Sequence, residues 1–233
     1  IDQVARKARS LGQTAIAITD HGVMYGAVAF YRACIKEGIR PIIGCEVYVA
    51  RRTRHDREPK LDSSPYHLIL LCENNEGYRN LVKLVSAASI EGFYNRPRVD
   101  MELLKKYNRG LICLSACLAG EIPRLLVEGH YDEAKAVALR YQEIFGKGNY
   151  FIEIQNHGIN DELRILPLLY KLSAETGIEL AATNDCHYIN KSDAEMQNVL
   201  LCIQTGKTLD EVDAISSATQ YSTAVNTAVL AAK

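Results

Sequence analysis

At 233 residues the chain is long enough for one large α/β domain with a substantial core, and too short for two well-separated domains of average size. Apolar residues make up 48% and charged residues 24%, ordinary for a globular protein, and no apolar run approaches the roughly 20 residues a membrane-spanning helix needs. The formal net charge of −1 excludes a module that grips nucleic acid by its overall field, so any such binding must come from local patches or neighbouring domains.

In chain order, Asp2–Leu11 reads as a helix closed by Gly12, and an apolar β-type run follows at Thr14–Thr19. Helix Gly26–Glu37, strand Pro41–Ala50 and a polar, proline-bearing exposed loop at Arg51–Ser64 come next. Strand Leu68–Cys72, helix Gly77–Ala88 and strand Gly110–Ala116 lead to helices at Ile122–Glu128 and Asp132–Phe145. Strand Tyr150–Gln155, helix Asp161–Glu175, strand Glu179–Thr183 and helix Lys191–Gln204 complete the series. This alternation predicts βα units around a mainly parallel sheet or barrel. The opening Ile1-Asp2-Gln3-Val4 is no signal peptide and lacks an initiator methionine, so the chain is expected to come from something longer. If Asp2–Leu11 is a helix, the strand that should precede it is absent. Residues 1–212 are taken as one domain; 213–233, rich in Ala, Ser, Thr and Val, have no readable period and form a tail.

Seven cysteines, at 34, 45, 72, 113, 117, 186 and 202, are odd in number and scattered, and no Cys-x-x-Cys occurs. That pattern points to reduced thiols in a cytoplasmic protein and away from a disulfide framework or a zinc ribbon.

His21, Glu46, His67, Cys117, Asp185 and His187 are metal-capable residues spread over successive strand-and-helix units, where only folding can gather them. A site mixing imidazole, carboxylate and thiolate suits zinc, manganese or iron and can activate water, and ions held together can clamp both oxygens of a phosphoryl transfer. Phosphoester hydrolysis is therefore the natural reaction class. Each residue also has a bland alternative. His21, before Gly22, could be a turn residue, and Cys117 a small core residue. His67 opens its strand, an awkward place if every ligand sits at a strand's end. Glu46 lies in the apolar run Ile42–Val49, where a carboxylate needs a partner. Asp185 and His187 are two apart, so in extended chain both face one way. Asp20 then faces away from His21 and is expected to support the ligands or cap backbone. His157, before Gly158, is either a neighbour of substrate or ligands, or an ordinary loop histidine. His55 and His130 read as exposed.

The motifs Ala17-Ile18-Thr19-Asp20-His21-Gly22, Gly44-Cys45-Glu46-Val47-Tyr48 and Tyr66-His67-Leu68-Ile69-Leu70-Leu71 resemble those of the polymerase and histidinol phosphatase (PHP) family. Gly77-Tyr78-Arg79-Asn80-Leu81, Glu91-Gly92-Phe93-Tyr94, Ser115–Ile122 and Thr183–Tyr188 narrow the resemblance to the PHP domain that opens bacterial DNA polymerase III alpha subunits. The resemblance runs from about Ile1 to Asp210. It implies a distorted seven-stranded β/α, TIM-like barrel whose mouth holds up to three divalent ions, zinc or manganese. The six residues named above match the family's later ligands by type, and catalysis is assigned to Asp185, His187 and His21. An opening His-x-His strand and an acidic ligand are expected but absent here, so fewer ions are expected. The implied activity is a 3′–5′ exonuclease, proofreading or pyrophosphatase reaction within a polymerase active in DNA replication; the rival is a non-catalytic scaffold. Implied partners are DNA through the parent polymerase, the remaining domains of that subunit and a proofreading exonuclease, with no membrane.

Overall fold

The computed structural model describes residues 1–210. The strands are β1 (Ala15–Ile18), β2 (Arg40–Val49), β3 (Tyr66–Cys72), β4 (Arg98–Val99), β5 (Leu111–Leu114), β6 (Tyr150–Ile154) and β7 (Leu180–Ala182). The helices are α1 (Asp2–Ser10), α2 (Ala27–Glu37), α3 (Pro59–Asp62), α4 (Asn75–Ile90), α5 (Met101–Lys106), α6 (Glu121–Val127), α7 (Tyr131–Phe145), α8 (Asn160–Thr176) and α9 (Ala194–Thr205), the last preceded by a 3-10 turn at Lys191–Asp193. The seven strands form one sheet in the order β1-β2-β3-β5-β6-β7, with β4 on β2. The sheet curls, so that residues of β1, β3, β5 and β6 and the segment after β7 line a common cavity of about 640 Å³. The result is an α/β half-barrel.

The expected elements are present with small shifts at their ends, but three short ones, α3, β4 and α5, stand where none was expected. The sheet is mainly parallel, as expected, with β4 also parallel to β2, but one strand is reversed. Pairs β1–β2, β5–β6 and β6–β7 are parallel, whereas β3 runs antiparallel to both β2 and β5. Gly44 marks the point where β2 passes from β1 to β3, and a Cβ there would lie 2.5 Å from the Leu70 carbonyl oxygen. Only glycine lets the backbones approach so closely. The 51–64 loop is not simply exposed either: it contains α3 and buries Arg54 and Asp62.

Local chemistry explains the helix ends. The Asn74 side chain accepts from the backbone N–H of Glu76 and Gly77 to start α4, and Asp100 accepts from Leu103 N–H to start α5. Gly38 and Gly177 close α2 and α8 in the left-handed conformation. The main core joins α4, α6, α7 and α8 to one face of β2, β3, β5 and β6, with Leu68, Leu70, Leu84, Cys113 and Ile152 at its centre. A smaller core packs Ala5 and Ala8 of α1 against Phe30, Ala33 and Cys34 of α2. Among the described residues no helix is long and apolar enough to cross a membrane. Residues 213–233, expected to be a tail, lie outside the described residues.

Candidate metal centre

Strand pairing assembles this centre. His21, just beyond β1, bridges Glu46 in parallel register, and Gly22 N–H donates to the Glu46 carbonyl over 2.8 Å. Gly22 takes a φ of +70°, and a Cβ on it would come within 2.8 Å of Pro97 and 2.9 Å of the Tyr48 ring. His67, at the start of β3, donates its backbone N–H to the Ala119 carbonyl over 3.1 Å. Because β3 is reversed, its first residues lie beside the last residues of β2 and β5. The awkward position of His67 is thereby explained: a strand start and its neighbours' strand ends share one rim.

Glu46 is 3% exposed and sits at the middle. His21 Nδ1 donates to its Oε1 over 2.7 Å, and His67 Nδ1 lies 3.0 Å from the same oxygen. Cys117 Sγ is 3.8 Å from His67 Nδ1. Donor atoms of Glu46, His67 and Cys117 all lie within 4.8 Å of one another, a convergence able to hold a metal ion. Burial alone would push the Glu46 carboxyl up, but hydrogen bonds from His21 and His67 and the charges of both rings outweigh it and hold it well below the usual carboxylate range. The hydrogen bond to Glu46 correspondingly raises the His21 pKa above 6.5, against the effect of burial. Burial pushes the Cys117 thiol up to about 12, so without a cation it keeps its proton at neutral pH.

The other expected ligands stand around this group. The His187 ring lies 5.6 Å from that of His21, and His187 Nδ1 is 2.8 Å from the Asp185 carbonyl. Asp185 lines the cavity with His21, Glu46 and His187, and its charge is felt at His21 and Cys117. Asp185 and Ala116 take φ of 40° and 65°. Left-handed backbone in such residues costs on the order of 1 kcal/mol or more each, and these two positions adjoin the donor set.

Asp20 and His157 each hold a neighbouring segment through hydrogen bonds. Asp20 Oδ2 accepts from Gly26 N–H over 3.0 Å, at the start of α2. His157, 7% exposed, is 2.8 Å from Glu162 Oε1 through Nδ1 and 3.0 Å from the Asn184 carbonyl through Nε2, so it ties α8 to the segment carrying Asp185. His55 and His130 are exposed.

Glu153 on β6 was not among the expected site residues. Its Oε1 accepts from Gln155 and Thr183, while the buried Oε2 has no partner among the described residues. Burial, opposed by the Thr183 hydrogen bond and reinforced by the charge of Asp185, pushes this carboxyl up to about 7. The signal was available: Tyr150-Phe151-Ile152-Glu153-Ile154 carries a carboxylate in an apolar strand, as the segment around Glu46 does.

A family model for the PHP domain matches residues 1–157. The DNA polymerase III subunit alpha of Treponema pallidum (strain Nichols) is 51% identical over 208 residues, covering 89% of this chain and 18% of the relative. The subunit of that name from Thermus aquaticus is 45% identical over 199 residues, covering 84% of this chain and 16% of the relative. The chain therefore spans less than a fifth of the length of these relatives. Among solved structures, a Bifidobacterium adolescentis ATCC 15703 protein assigned as a metal-dependent phosphoesterase matches with a TM-score of 0.51, over 80% of this chain and 82% of that one, at 12% identity, a likeness of fold alone. With a family match across residues 1–157 and the half-barrel around Glu46, the chain belongs to the PHP domain family.

Proposed function

We propose that this chain is the PHP domain of a bacterial DNA polymerase III alpha subunit and carries a divalent-metal phosphoesterase centre. The observation that carries the reading is the convergence of Glu46, His67 and Cys117 within 4.8 Å. The donor set fits zinc or manganese: His21 and His67 supply imidazole, Glu46 and Asp185 carboxylate, Cys117 thiolate and His187 a further imidazole. A bound ion supplies Lewis acidity toward a phosphoryl oxygen and acidifies water. Glu46, buried and anionic, concentrates negative charge between two imidazoles, while Cys117 releases its proton on ligation. Glu153, which lines the same cavity and whose carboxyl burial pushes up to about 7, is suited to hold a proton beside the reacting group. Asp185 and His187, on the segment held by His157, extend the donor set on the side of His21, where the His187 imidazole can also donate to a substrate phosphate. The reaction is 3′–5′ trimming of a DNA end or cleavage of pyrophosphate, in the cytoplasm and beside the domains that polymerise DNA.

A second reading rests on a different observation: Asp185 and His187 fall outside the trio that converges within 4.8 Å. On that reading the domain is a scaffold that braces the polymerase and docks a proofreading exonuclease. Elemental analysis of the purified protein, with assays on 3′-ended oligonucleotides and pyrophosphate, separates the two. Bound zinc or manganese with hydrolysis lost in Asp185→Ala supports the enzyme. A folded protein that takes up no metal overturns it in favour of the scaffold.

A further inference from the structure

The connection from β2 to β3 lies on the metal-bearing rim because β3 is reversed, and the arginines packed there are of two kinds. Some are consumed by the fold. Arg52 pairs with Asp62 and Glu58, and Arg54 with Glu91, Asp100 and Glu102. Arg98, 0% exposed, donates to the carbonyls of Gly92, Asp62, Arg54 and Asp56.

Arg51 and Arg124 differ. Their guanidinium carbons lie 5.0 and 5.2 Å from the centroid of one ring, that of Tyr66. Neither forms an ion pair with a carboxylate among the described residues. Arg51 Nε donates to the Ser64 carbonyl over 3.0 Å; Arg124 donates to Ser64 Oγ over 3.0 Å and to the Pro65 carbonyl over 3.1 Å. These neutral acceptors orient the guanidinium groups without pairing them to a carboxylate; the charge of Glu128 reaches Arg124 more weakly than burial and the charge of Arg51 do. Burial, and after it the charge of Arg51, lowers the Arg124 pKa, as expected for two cations held together. The pair also has a defined place. Tyr66 immediately precedes His67, and Arg124 lies in α6, the helix that follows the Cys117–Gly120 turn.

A lone phosphate or pyrophosphate at the metal donors has no use for a second cationic site on the outer side of His67. A phosphodiester chain does, because it carries a charge at every nucleotide and is held by grooves of basic groups along its backbone. Guanidinium forks with spare N–H donors match its oxygens.

The geometry points to Arg51 and Arg124, braced on Tyr66, as a binding site for a backbone phosphate of a single-stranded nucleic acid whose end lies at the Glu46–His67–Cys117 centre. This deepens the phosphoesterase reading and rests on it. The bland alternative is that both arginines only pin the Ser64–Pro65 turn to α6, which would affect melting and not binding.

The test is fluorescence anisotropy with labelled single-stranded DNA and RNA dodecamers over a salt series, on chelator-treated protein so that no turnover intervenes. Arg51→Gln/Arg124→Gln should bind about 10-fold more weakly, with the salt slope smaller by roughly 0.7 for each phosphate that the variant no longer neutralises. Arg51→Lys/Arg124→Lys should retain most of the slope; if the double Gln protein melts early, the single variants Arg51→Gln and Arg124→Gln take its place, each expected to lower the slope by roughly 0.7. The DNA and RNA arms identify which chain is preferred. The inference is overturned by unchanged affinity and slope in the folded Gln variants, by wild-type protein that does not bind either dodecamer, or by polyglutamate displacing the oligonucleotide equally well. Metal content of untreated samples separates the two readings: metal present without arginine-dependent binding sinks this inference alone, whereas arginine-dependent binding without metal uptake sinks the phosphoesterase reading.

Discussion

His67 stands directly across from Tyr48 in the β2–β3 ladder, their ring centroids 5.2 Å apart and edge to face. Tyr48 fixes the plane of the imidazole whose Nδ1 faces Glu46, and the Arg96 guanidinium covers the same tyrosine at 5.6 Å. Replacing the ring by Ala should leave the main core intact but free His67 to turn. We expect Tyr48→Ala to weaken zinc or manganese binding by about 10-fold or more, the cost typical of residues that orient a ligand, measured by competition with a chromogenic chelator. Unchanged affinity would show that the ladder alone orients His67.

Glu46→Gln removes the shared acceptor while keeping shape. A direct carboxylate ligand should matter at least as much as an orienting residue, so metal affinity should fall by about 100-fold or more in isothermal titration. Cobalt substitution gives an independent readout at Cys117: the thiolate charge-transfer absorption should vanish in Cys117→Ser. A persistent band there would place the sulfur outside the centre.

The His157–Glu162 pair makes a pH-dependent prediction. The His157 pKa is raised above 6.5, first by its hydrogen bond to Glu162, with burial opposing. A raised folded-state pKa means the contribution to stability is complete below 6.5 and fades as pH climbs through the raised value. Glu162→Gln should therefore cost about 3 kcal/mol on the acid side, lowering the melting temperature by roughly 6–12 °C, and less at about pH 9. An equal loss across that range would indicate a packing defect without an ionic component.

Arg98→Met should be among the most damaging substitutions outside the metal centre. It leaves the carbonyls of Gly92, Asp62, Arg54 and Asp56 without their donor. A loss of about 3 kcal/mol or more is expected in denaturant melts, with early proteolysis within residues 51–64. Wild-type resistance to protease would mean that the loop is held by Arg52 and Arg54 alone.

The alternation of apolar strands with amphipathic helices was legible because both periods are strong; Glu46, His67 and Cys117 are chemically distinctive residue types, and the fold brings their side chains together. The direction of β3 was not legible. Leu68–Leu71 reads the same parallel or antiparallel, since side-chain alternation carries no polarity, and orientation is settled by partners far away in sequence. The order within 51–64 was hidden for a related reason: its arginines look solvated until Asp100, Glu91 and Arg98 arrive from beyond the β3 strand. Glu153 bore the mark that singled out Glu46, a carboxylate in an apolar strand, and was legible on the same ground.

The β2–β3 ladder couples two properties usually treated apart. Leu68 and Leu70 face the helices while His67, Ile69 and Leu71 face the other way, with His67 toward Glu46. Sliding the strand by a single position would drive leucines into the ionic centre and turn the imidazole toward greasy surroundings. On the phosphoesterase reading proposed above, correct threading of this hairpin and competence to capture a cation become one event, so uptake of metal during refolding would serve as a direct gauge of whether the strands have found their proper alignment.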